Sequence, residues 1–132
     1  MSASIEEVIA THVAVDTENS FDILGFYEQD DGSGRYLLLQ RSHQFDEQDR
    51  ALGIDKVHVE ISDESRSCYG GISEISVSHD GIRFSFDEKA AAALGLNGPL
   101  YINVDEALLS SSGAIDLMSK ICEPDGTKIS RE

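Results

Sequence analysis

Asp30–Ile61, DDGSGRYLLLQRSHQFDEQDRALGIDKVHVEI, is the stretch whose reading decides the fold. It opens on an acidic turn in which Gly32 and Gly34 can take positive φ and Asp30 or Asp31 can accept from backbone amides ahead of it. Tyr36–Arg41 (YLLLQR) follows, apolar on both phases at Leu37, Leu38 and Leu39. A strand of that kind belongs at or near the centre of a sheet. Asp46 is placed to cap one helical turn closed by Gly53, with Phe45 and Leu52 as the residues that would pin it. Lys56–Ser62 then alternates cleanly, with Val57, Val59 and Ile61 inward and His58, Glu60 and Ser62 outward.

Working outward, Glu6–Thr17 reads as one strand with Ile9, Thr11, Val13 and Val15 on the buried phase. Phe21–Glu28 reads as its hairpin partner, with Phe21, Ile23 and Tyr27 inward and Gly25 marking a bulge or close approach. Asp63–Gly71 is polar and reads as a connection. An Asp80-Gly81 turn would set Val77 opposite Phe84 and Ile75 opposite Phe86, with Ser76 and Ser85 on the outer face. Asp87 caps a short helix, EKAAAAL, that stops at Gly95. Leu100, Ile102 and Val104 mark a further strand. Ser110–Gly113 reads as the start of a helix carrying Ala114, Leu117, Met118 and Ile121 on one face. That helix ends before Pro124, and residues 124–132 read as a frayed tail. The pattern predicts one α+β domain over residues 1–132: a mainly antiparallel β-sheet of about six or seven strands with two helices packed on it.

Composition narrows the function. The 132 residues are long enough for a core, and 40% hydrophobic content with nine aromatic residues is that of a folded chain. The formal charge is −15 and the pI near 4.4, which disfavours binding to nucleic acid or to anionic membrane and favours a basic partner. No apolar run has the length of a membrane span, and MSASIEEVIATHVAV lacks the basic region of a signal peptide, so a cytoplasmic location is expected. Cys68 and Cys122 show no metal spacing and read as reduced packing residues.

No catalytic constellation emerges. The carboxylate pairs Asp30-Asp31, Asp46-Glu47-Asp49, Asp63-Glu64, Asp87-Glu88 and Asp105-Glu106 fall in turns and caps, where water keeps them ionised. Acid–base work instead needs one carboxyl in an apolar site. His58 and Glu60, on the polar phase of one strand, leave open a small-molecule or metal-binding domain, conceivably a hydrolase. They lack an HxH or HExxH partner, and no cofactor or metal is expected. Tyr69-Gly70-Gly71 reads either as a presented tyrosine or as a bulge turning the chain into the next strand.

The ordered set GSGRYLLLQR, FDEQDRALGIDKVHVEI, SRSCYGGI and AAAALG resembles the immunity protein 10 family of bacterial polymorphic toxin systems. The family's LLLQR-like strand falls on Leu37–Arg41 and its D-x-QD-x-x-LG segment on Asp46–Gly53. Its Y-V-E-like strand falls on His58–Glu60, where His58 replaces the usual aromatic, and its YGGI turn falls on Tyr69–Ile72. Phe84–Gly95 matches the later strand–AA–LG pattern. The likeness spans roughly residues 20–105 and leaves the first strand and last helix to the chain's length. It implies a non-catalytic cytosolic protein that binds and neutralises a cognate protein toxin, many such toxins being basic nucleases. On that reading the partner-binding candidates are Asp30, Asp31, Asp46, Glu47, Asp49 and Tyr69, carboxylates at a rim and an aromatic nearer the centre. An exposed outer strand is compatible with a homodimer without requiring one.

Overall fold

A computed structural model describes residues 6–131. Residues 1–5, part of the segment judged for a signal peptide, and Glu132 of the tail lie outside it. The chain is α+β, but among the described residues the strands number ten in two five-stranded sheets, and four α-helices accompany them. Six or seven strands in one sheet was an undercount. The first sheet has the order β1-β9-β8-β7-β10: β1 is Glu6–Ala10, β7 Ile72–Ser78, β8 Gly81–Phe86, β9 Leu100–Val104 and β10 Lys128–Arg131. The second runs β2-β3-β4-β5-β6: β2 is His12–Asp16, β3 Phe21–Tyr27, β4 Tyr36–Ser42, β5 His58–Ile61 and β6 Asp63–Tyr69. Pairing is antiparallel except for β1 with β9 and β10 with β7, which are parallel.

The sheets share one core. Val8 and Ala10 of β1 pack over β3 and β4, and Leu24, Phe26, Leu37, Leu39, Val59 and Ile61 meet Ile75, Phe84, Leu100 and Ile102 from the facing sheet. Helix α2 (Glu88–Leu94) lies on β6, while α3 (Glu106–Ser112) and α4 (Ala114–Cys122) close the side at β2, β3 and β4. Both cysteines are free, Cys122 buried and Cys68 half-buried. Burial, then the Asp125 charge, pushes the Cys122 thiol up to about 12, so it is an inert packing residue.

Several expectations are corrected by the structure. Glu6–Thr17 is two strands, because the chain leaves one sheet for the other at Thr11. There the Thr11 amide donates to Tyr27 O at 2.9 Å and its hydroxyl to Glu28 O at 2.8 Å. The switch resets the phase, so Val8 and Ala10 are buried while Ile9 is 54% exposed. In β3 the inward residues are Asp22, Leu24 and Phe26, not Phe21, Ile23 and Tyr27. Asp63–Tyr69 is a strand, polar because it is a sheet edge. The hairpin turn is His79-Asp80, which pairs Val77 with Ile82 and Ile75 with Phe84. That slip of two residues keeps every apolar side chain on its face, but sets Ser76 opposite Arg83 rather than Ser85. Gly81 belongs to β8, where a Cβ would lie 2.5 Å from Ile102 O of β9. The serine run ends α3 rather than starting a helix, and Gly113 separates α3 from α4. The tail is not frayed over 128–131: β10 lies in register on β7, Ile129 beside Ile75, and the Thr127 hydroxyl donates to Ile72 O at 2.7 Å.

Asp22, the charged residue on the core phase, ties three elements together. One oxygen lies 2.8 Å from His43 Nε2 and the other 3.3 Å from Lys120 Nζ of α4. Burial opposes its charge, but the His43 and Lys120 contacts outweigh that and hold its carboxyl below the ordinary aspartate value. A depressed folded pKa stabilises the fold above the unfolded value and loses that stabilisation as pH falls through the folded one. Asp22→Asn is therefore expected to cost about 1–2 kcal/mol at neutral pH, with the gap to the wild type closing below about pH 4 in urea titrations. A gap constant with pH would show that the ion pairs are not its source.

Candidate functional site

The candidate carboxylates occupy two separate places. Asp30 and Asp31 sit in the β3–β4 turn, both exposed. The Ser33 hydroxyl and amide donate to Asp31 Oδ1 at 2.6 and 2.9 Å and hold its carboxyl below the usual value, so it stays charged. Asp46, Glu47 and Asp49 lie beyond the other end of β4, at α1 (Glu47–Ala51). Asp46 Oδ1 accepts from the Asp49 amide at 2.8 Å and Asp49 Oδ2 from the Asp46 amide at 3.0 Å, a reciprocal capping box. Leu52 does not pin α1: it is 65% exposed. Phe45, half-buried with the Arg41 guanidinium 5.3 Å from its ring centre, is the anchor. The seven residues of β4 separate the two acidic groups by roughly 20 Å.

Tyr69 belongs with the second group. It ends β6 opposite His58, and the two rings lie 4.8 Å apart at a tilt of 57°. With Asp49, Phe21, Phe45 and Lys56 they line a groove of about 440 Å³ at one end of the second sheet.

The groove opens onto the sheet's outward face, whose β3 residues Phe21, Ile23 and Tyr27 sequence reasoning assigned to the core. Register places Tyr27 beside Tyr36, then Gly25 beside Leu38 and Glu60, then Ile23 beside Gln40, His58 and Tyr69. Tyr27 folds over Gly25, where a Cβ would lie 2.4 Å from the ring, and stacks on Tyr36 at 5.8 Å. The Tyr36 hydroxyl donates to Glu60, and burial followed by that carboxylate pushes its pKa well above the ordinary tyrosine value. Glu60 and His58 are thus each engaged by a neighbouring aromatic residue. Among the described residues no three His, Cys, Asp or Glu side chains converge on a metal-sized site. Five of the nine aromatic residues (Phe21, Tyr27, Tyr36, Phe45 and Tyr69) belong to this face and its groove. The missed signal is in FDILGFY: a phase carrying Asp22 looks exposed unless its cationic partners, 21 and 98 residues further on, are known.

The model of the family described as Immunity protein 10 matches residues 9–109. The chain belongs to that family. The match begins within β1 and ends in α3, so it takes in the whole outward face and the groove. No curated protein and no solved structure gives a match. The family is one of immunity proteins, which implies a cognate toxin as partner. Among the described residues no helix is long and apolar enough to cross a membrane.

Proposed function

We propose that this immunity protein works in the cytoplasm by seating on its cognate toxin and occluding the toxin's working surface, without catalysis. The observation that carries the reading is the arrangement at α1 and the groove. Asp46, Glu47 and Asp49 are turned to water and to helix capping beside an exposed tyrosine, rather than enclosed in an apolar site that would raise a carboxyl for acid–base work. With a net charge of −15, the toxin class that fits is a basic one such as a nuclease domain, whose nucleic-acid surface an acidic protein can cover.

Co-expression with the toxin encoded beside it is expected to rescue growth; continued killing by the true genomic neighbour would end the reading. The acidic segment has its own test. Lysine at Asp46 and Asp49 would also break the cap, so Asp46→Asn, Glu47→Gln and Asp49→Gln are preferable, since they keep capping groups and remove three charges. Association measured by stopped flow is expected to slow about tenfold at low salt and to change little at high salt. Equal rates at both would take α1 out of the interface.

A further inference from the structure

Resting on the immunity reading, we propose that the toxin docks on the outward face of the second sheet, inserting an apolar side chain between Phe21, His58 and Tyr69 and setting lysines or arginines around it. Phe21 and Tyr69 are 40% and 47% exposed, unusual for large side chains, and both line the 440 Å³ groove. The floor is rigid, because it is a sheet backed by the core, with Ile23, Gln40, His58 and Tyr69 side by side across four paired strands. A rigid aromatic floor with a polar border is the anatomy of a binding hot spot.

Charge decides the occupant. The crossing segment beside the groove carries Asp46, Glu47, Asp49 and Asp55 against Arg50 and Lys56, and Asp16 and Glu60 add carboxylates on the sheet itself. A partner ringed by cations is complementary there, whereas a second copy of this acidic chain would meet like charge. The outward face of the first sheet is a poorer candidate, its groove being lined by Glu7, Ser76, Arg83, Asn103 and one aromatic, Tyr101. The far turn with Asp30 and Asp31 lies outside this contact.

The test pairs wild type with Phe21→Ser/Tyr69→Ser and with Tyr69→Lys, which places a cation against the partner's apolar side chain and among its flanking cations. Affinity for the purified neighbouring toxin is measured by calorimetry, and folding by thermal melts. The double variant is expected to bind about 100-fold more weakly with an unchanged melt, and the lysine variant at least about tenfold more weakly. Asp30→Lys/Asp31→Lys is expected to stay within about threefold of wild type at physiological salt. If wild type binds and both groove variants match it, the face is wrong while the immunity reading stands. Wild type failing to bind or protect sinks both. A wild-type dimer that the double variant splits, with toxin affinity unchanged, would assign the face to a second copy and overturn the proposal. So would a drop at Asp30 and Asp31 as large as that of the groove.

Discussion

Replacing Arg41 by alanine is expected to lower the unfolding free energy by about 3 kcal/mol, because it strands a largely buried carboxylate. Arg41 and Asp125 meet at 2.8 Å with side chains only 15% and 10% exposed. The guanidinium also donates to Ile121 O at 3.2 Å, and the other Asp125 oxygen accepts from the Val57 amide at 2.9 Å. One arginine on β4 thus fixes the end of α4, the start of β5 and the turn leading into β10. Without it, Asp125 keeps one amide donor and no countercharge in a poorly hydrated place. Asp125→Asn should be gentler, about 1–2 kcal/mol, since the amide oxygen can still accept from Val57. Urea denaturation measures both, and hydrogen exchange at Ile129 reports whether β10 loosens first. An Arg41→Ala loss under about 1 kcal/mol would mean the pair is hydrated and not a clamp.

Gly71→Ala is the second large effect, about 3 kcal/mol or more. Gly71 has φ +87°, and an added Cβ would lie 2.4 Å from Ala90 Cβ and 3.2 Å from Asp87 Oδ1. Neither neighbour can retreat cheaply. Asp87 caps α2 through the Ala90 amide at 2.8 Å, and its own amide donates to Gly71 O at 2.9 Å. Gly53 is the control: its φ is +74°, but nothing lies within 4 Å of the Cβ position, so Gly53→Ala carries backbone strain alone, about 1 kcal/mol. The difference between the two variants isolates helix–strand packing. Equal losses would show that α2 shifts freely, and Tyr69, two residues away, would then not be held where the groove needs it.

The central strands of the second sheet were legible because their side chains state their own surroundings. Leu37 and Leu39 in β4 and Val57, Val59 and Ile61 at β5 follow a period of two, and each is fully buried. Two helix starts were legible for the same local reason: Asp46 and Asp87 each cap through the amide three residues ahead. The groove was half legible. Tyr69 could be read as presented, but Phe21 could not be placed beside it, because β3 is apolar on both phases.

The sequence by itself determined what depends on neighbours in the chain: strand period, caps, turn chemistry, net charge and the ordered motifs of the family. Only the tertiary structure decided which way β3 faces, that polar Asp63–Tyr69 is an edge strand, and that the tail returns as β10. For β3 and the tail the deciding partner is distant, Lys120 and His43 for Asp22 and Ile75 for Ile129, whereas β6 pairs with its chain neighbour β5 and is hidden only by the polar sequence of a sheet edge. Such contacts are set by burial and by charge pairing across the core, which leave little trace in local periodicity. They also separate Asp30 and Asp31 from the groove and bring Phe21, His58 and Tyr69 together at its centre.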